Sequence, residues 1–169
     1  MFVVHATKKL LDRVRAKPLP LPQESTTALG PWYATVWFWN PQIALFVNEL
    51  TLLPVLIPLA PAATVVDRFP DGLRVTLGAH GIESSFIDDE IAEMSGHQMA
   101  KTANRSVVGI MNEFTFLAGH APAPTDAADL IELSLWLART PCSPLYKRHV
   151  SPDHELRAFV DEHLGRSTA

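Results

Sequence analysis

Apolar positions recur along this chain with two different periods, and the change falls near residue 65. Before it, runs rich in aromatic and β-branched residues predict strands at Phe2–Ala6, Trp32–Trp39, Gln42–Val47 and Leu52–Leu59. Asn40-Pro41 separates the second run from the third and predicts an antiparallel hairpin. Pro54 and Pro58 cannot donate to a ladder, which places the fourth strand at a sheet edge. A short helix, Lys8–Arg15, follows the first strand, with Thr7 as its cap and Leu10, Leu11 and Val14 on one side. The prolines of Lys17-Pro18-Leu19-Pro20-Leu21-Pro22 then rule out helix, and residues 17–31 form a Pro-rich connector. A surface linker is the favoured reading of it over a PxxP-type ligand.

After residue 65 the spacing turns helical. Asp67–Leu77 predicts a helix ended by Gly78 and Gly81, although Pro70-Asp71-Gly72 interrupts the pattern. Asp88 or Asp89 caps a helix carrying Ile91 and Met94. Val107, Met111, Phe114 and Leu117 define another, broken by Pro122 and Pro124. Thr125 or Asp126 caps one with Leu130, Leu133 and Leu137 on a single face, and Ser151-Pro152-Asp153-His154-Glu155 opens the last. Residues 166–169 should fray. The sum is one α+β domain over residues 1–165. A small, mostly antiparallel sheet from the N-terminal half packs against a helical C-terminal half, with the helices on one face. Trp37 and Trp39 share one strand face while Trp32 and Phe38 share the other, so that strand needs cover on both sides or a partner.

Composition narrows the class. The chain has 169 residues, 47% of them hydrophobic and 19% charged, with a net charge of −4. That length buries a full core without staples, and the acidic balance does not support nucleic acid as a partner. The broken apolar stretch Leu50–Ala63 is too short for a membrane span. A single cysteine, Cys142, and no leader-like N-terminal run point to the cytoplasm. Cys142 itself reads as a small, partly buried residue. Asp88-Asp89-Glu90 reads as the charged start of a helix, and His5 as a satisfied sheet or core histidine. No spacing of cysteines and histidines marks a metal or a cofactor site.

The candidate chemistry is concentrated in two polar interruptions. One runs from Lys101 to Asn112, where Lys101 and Arg105 can hold a phosphate or carboxylate and Asn104, Ser106 and Asn112 can add directional bonds. On a continuous helix, His97, Lys101, Arg105 and Asn112 share a side. If Thr102 or Asn104 caps a new helix instead, backbone donors near Arg105 also favour an anion. Gly109 would admit a close neighbour. The other interruption is Asn48-Glu49 at a strand end, and a Glu49–Arg105 ion pair would join the two. The opposing reading is structural, with Arg105 paired, Asn112 bridging backbone and Asn48-Glu49 forming a turn.

The phrases His5-Ala6-Thr7-Lys8-Lys9-Leu10-Leu11, Trp32-Tyr33-Ala34, Leu45-Phe46-Val47-Asn48-Glu49-Leu50-Thr51-Leu52 and Thr102-Ala103-Asn104-Arg105-Ser106-Val107-Val108-Gly109-Ile110-Met111-Asn112 resemble a family of small bacterial proteins whose domain has no known function. The resemblance covers Phe2 to about Phe116 and implies no activity. The residues favour a binding or regulatory module with an anion-recognising site, its partner a protein or a phosphate-bearing ligand. The rival reading is a small hydrolase or nuclease-like enzyme, for example a toxin-antitoxin component, using Glu49, His97 and Arg105.

Overall fold

The computed structural model describes residues 1–165. Five strands form one sheet: β1 (Phe2–Ala6), β2 (Trp32–Trp37), β3 (Ile43–Asn48), β4 (Pro54–Pro58) and β5 (His97–Lys101), in the order β4-β3-β2-β1-β5. The predicted hairpin is β2–β3, with Trp32 opposite Asn48 and Trp37 opposite Ile43. β4 continues the antiparallel ladder at the edge, as its prolines require. β1 lies inside the sheet and runs parallel to both neighbours, with Val4 opposite Trp32 and Ala6 opposite Lys101. The class is therefore α+β, as expected.

Six helices cover the sheet: α1 (Lys8–Val14), α2 (Val65–Ala79), α3 (Ser84–Ala92), α4 (Arg105–Ala118), α5 (Ala127–Ala138) and α6 (Pro152–His163). They lie on both faces, not one. The period of 2 turns Phe2, Val4, Trp32 and Phe46 toward α1, α2, α3 and α6 in one core. It turns Tyr33, Trp37, Leu45 and Val47 toward α4 and α5 in a second. The need to cover both faces of β2 is met by this three-layer arrangement. Among the described residues no helix is long and apolar enough to cross a membrane.

Two local expectations are corrected, and a third, the helix over Asp67–Leu77, is found with wider bounds. His97–Lys101 is a strand, because it completes the ladder beside β1. α3 starts at Ser84, so Asp88 and Asp89 lie within it and do not cap it. α2 runs straight through Pro70 and Gly72. Gly72 serves packing there, since a Cβ would sit 2.4 Å from Ile57 Cγ2 on β4.

The connector is tied down along its length. Leu19 N–H donates to the Met99 carbonyl at 2.8 Å, and Gln23 N–H donates to Gln98 Oε1 at 2.8 Å. The buried carboxylate of Glu90 accepts from Ala28 N–H and Leu29 N–H, both at 2.8 Å. One member of the acidic triplet thus turns inward and fastens the connector to α3.

Candidate functional site

The carboxyl ends of the parallel strands β1 and β5 lie side by side, Ala6 opposite Lys101. The chain leaves β1 into α1, whose Leu10 and Leu11 join the first core. It leaves β5 through Thr102-Ala103 into α4, whose Val107, Ile110 and Met111 join the second. Neighbouring parallel strands whose connections depart to opposite faces make a topological switch point, and open sheets with parallel strands usually bind ligands in the crevice outside such strand ends.

Asn104 sets the start of α4 at this crevice. Its backbone is extended, and its Oδ1 accepts from Ser106 N–H at 3.0 Å and Val107 N–H at 3.4 Å. Its own N–H donates to the Tyr33 hydroxyl at 2.9 Å, anchoring the turn to β2. Burial pushes the Tyr33 phenol above its ordinary value. The backbone bonds from Asn104 and Ala103 oppose that rise, and the nearby Glu49 carboxylate adds to it. The His5 ring stacks on Tyr33 with centroids 4.8 Å apart. His5 Nδ1 lies 2.9 Å from the Lys101 carbonyl, which can only accept, so Nδ1 carries the proton of that bond. A polar chain therefore links Glu49, Tyr33 and the Asn104 turn, with His5 stacked on it and bonded to the end of β5.

The proposed residues divide around this chain. Lys101, Asn104, Arg105 and Ser106 are exposed and adjacent at the strand end and first helical turn. Among the described residues no acid pairs with Lys101 or Arg105. The Glu49–Arg105 ion pair does not form; Glu49 reaches the motif through Tyr33. Asn112 is exposed on the same side of α4 as Arg105, but seven residues farther on, about 10 Å along the axis. Asn48 is fully buried, and its side chain is saturated. Its Nδ2 donates to Leu29 O at 2.8 Å and Pro31 O at 3.4 Å, and its Oδ1 accepts from Leu50 N–H, Thr51 N–H and Thr51 Oγ1 at 2.9–3.1 Å. It shapes the turn after β3.

His97 leaves the group altogether. It begins β5 with its ring against Phe2, and its Nδ1 lies 3.5 Å from Asp67 Oδ1, so it shares no helix with Arg105. Gly109 has no neighbour within 4 Å of a Cβ built on it, which removes the close-packing role expected for it. Sequence reasoning missed His5 and Tyr33 as parts of this site. The signal was present in principle: a buried tyrosine hydroxyl needs a partner, and both residues occupy odd positions of strands that turn out to pair.

Cys142 is fully buried, and burial pushes its thiol up to about 12. The nearest histidine in sequence, His149, is engaged elsewhere, its Nδ1 2.7 Å from Glu155 Oε2. The thiol is therefore no nucleophile. No group of three or more potential metal-ligating side chains occurs among the described residues.

No curated protein and no solved structure shows significant similarity to this chain. The family defined as a domain of unknown function, DUF6933, matches residues 3–155, nearly the whole of the chain and all of the crevice described above, and the chain belongs to that family.

Proposed function

We propose that the chain is a binding or regulatory module that takes an anionic group, a phosphate or carboxylate borne by a small ligand or a protein partner, at the crevice where β1 and β5 end. One observation carries this reading. Lys101 and Arg105 bring two exposed cations to the crevice with no acid paired to either among the described residues. Arg105 supplies a planar fork, Lys101 a point charge and Ser106 a directional hydroxyl. Asn104 and Tyr33 hold the turn that lies between Lys101 and the first turn of α4. Asn48 contributes by shaping the adjoining turn, and Asn112 marks the far limit of the surface. A single domain over residues 1–165 in a bacterial cytoplasm completes the reading, supported by the lone cysteine. The enzyme alternative is weaker, because His97 faces Asp67 at the other end of β5 and supplies no base beside Glu49 and Arg105.

Thermal-shift measurements with inorganic phosphate and pyrophosphate test the proposal. An anion at 100-fold excess over its dissociation constant adds about 2.7 kcal/mol to stability. Arg105→Ala melts like the unaltered chain, since an exposed, unpaired side chain changes stability by about 0.5 kcal/mol or less. It weakens anion binding by about tenfold, the equivalent of one charge-assisted bond. If no anion stabilises the protein at millimolar concentration, or if Arg105→Ala and Lys101→Ala bind as the unaltered chain does, the reading fails.

A further inference from the structure

A deep concavity lies away from that crevice, beyond the other end of α4. It holds about 760 Å³, a size typical of small-molecule sites. Its walls come from the loop after α4, the outer side of α5, the residue that ends α2 and the start of α6. Leu133, Leu135, Ala121 and Pro122 make it apolar, and Trp136, 40% exposed, offers a ring within it. Three carboxylates, Asp129, Glu132 and Asp153, line it against one guanidinium, Arg139. Asp129 is fixed by Thr125, whose N–H and hydroxyl donate to it at 2.9 and 2.7 Å. Asp153 is fixed by Ser151 Oγ at 2.5 Å and His154 N–H at 2.8 Å. Glu132 is exposed and has no partner among the described residues.

His80 supplies the independent observation. It lines this cleft, is only 8% exposed, and its Nε2 is buried without a hydrogen-bond partner. Buried polar atoms in folded proteins are nearly always matched, so an orphan beside a cleft asks for a ligand group. A neutral imidazole has one acceptor nitrogen, which an ammonium N–H satisfies.

We infer that this cleft binds a flat aromatic amine as its cation, with the ring on Trp136, the ammonium held by the carboxylates, and His80 the inner polar contact. A cation within reach of an indole face gains from the ring quadrupole as well as from the acids. A carboxylate-bearing ring of the same shape is repelled by Asp129, Glu132 and Asp153. This ligand is distinct in charge from the anion proposed for the Lys101–Arg105 crevice.

Calorimetric titration of the full chain with tryptamine, indole and indole-3-acetate decides it. Tryptamine saturates one site and binds at least about tenfold more tightly than indole-3-acetate. Trp136→Ala, at a part-exposed position, weakens tryptamine about tenfold, and Glu132→Gln weakens it less. His80→Phe keeps an aromatic ring at this position and removes the orphan nitrogen. It melts no lower than the unaltered chain yet binds tryptamine more weakly. Arg105→Ala leaves tryptamine binding unchanged, which separates this site from the crevice. Absence of saturation by roughly 10 mM overturns the inference, as does equal binding of the acetate or unaltered binding by both Trp136→Ala and His80→Phe.

Discussion

Glu90 and Glu155 are both about 2% exposed, and each holds a neighbouring segment in place. Glu155 takes Arg148 and His149 and fixes the loop before α6. Glu90 takes two backbone N–H groups of the connector. Glu90→Ala strands both donors and lowers stability by about 2–3 kcal/mol, measured by urea unfolding. The pH dependence follows from burial, which raises the Glu90 carboxyl above its ordinary 4.5 against the pull of the Leu29 and Ala28 bonds. The folded chain then keeps a proton that the unfolded chain has released. Stability therefore falls as pH climbs from the ordinary value through the raised one, and Glu90→Gln abolishes that component of the slope. Cys142 gives a second test at this scale. With the thiol raised to about 12 and buried, iodoacetamide at pH 8 leaves the folded chain unmodified, and the single cysteine reacts once denaturant is added.

At the scale of elements, glycine positions separate packing from propensity. Gly109 sits within α4 with open space around it, so Gly109→Ala stabilises the protein by up to about 1 kcal/mol. Gly72 sits under Ile57, so Gly72→Ala destabilises it by about 1–3 kcal/mol. Thermal melts of the two variants should move in opposite directions. The same contrast explains what was legible in the sequence. The β2–β3 hairpin, the edge prolines of β4 and the start of α6 follow local rules, and the structure has them. β5 was not legible because His97-Gln98-Met99-Ala100-Lys101 contains no β-branched residue; only pairing with β1 makes it a strand. α2 crosses Pro70 because Val66, Phe69, Leu73 and Leu77 bury one stripe of it, which outweighs the proline. Thr7 stands where a cap was expected, yet its hydroxyl donates to Thr35 Oγ1 at 3.0 Å, a partner visible only once β1 and the hairpin are side by side.

For the whole molecule, the polar motif after Lys101 was conspicuous in sequence, while its partners were not. His5, Tyr33 and Glu49 come from β1, β2 and the turn after β3, and the parallel pairing of β1 with β2 together with the β2–β3 hairpin assembles them at the start of α4. The cleft around His80 was not legible for the same reason, since its lining comes from four separate stretches of chain. The two proposed sites flank α4, a rod of about 21 Å, so variants at one should leave ligand binding at the other unchanged.

The interior position of β1 has a consequence for how the molecule comes into being. Its first strand acquires a neighbour on one side from residue 32 onward, but on the other only when His97–Lys101 arrives, with Phe2 opposite His97. Until then the middle of the sheet is an open edge bearing Phe2, Val3 and Val4. Closing so long a loop costs more chain entropy than forming the local β2–β3 hairpin. During synthesis, at about 5–20 residues per second, the growing chain carries that unpaired edge for several seconds before it can be sealed. The strand end that bears Lys101 is placed by that same closing event, so the proposed anion site and the complete sheet are reached together.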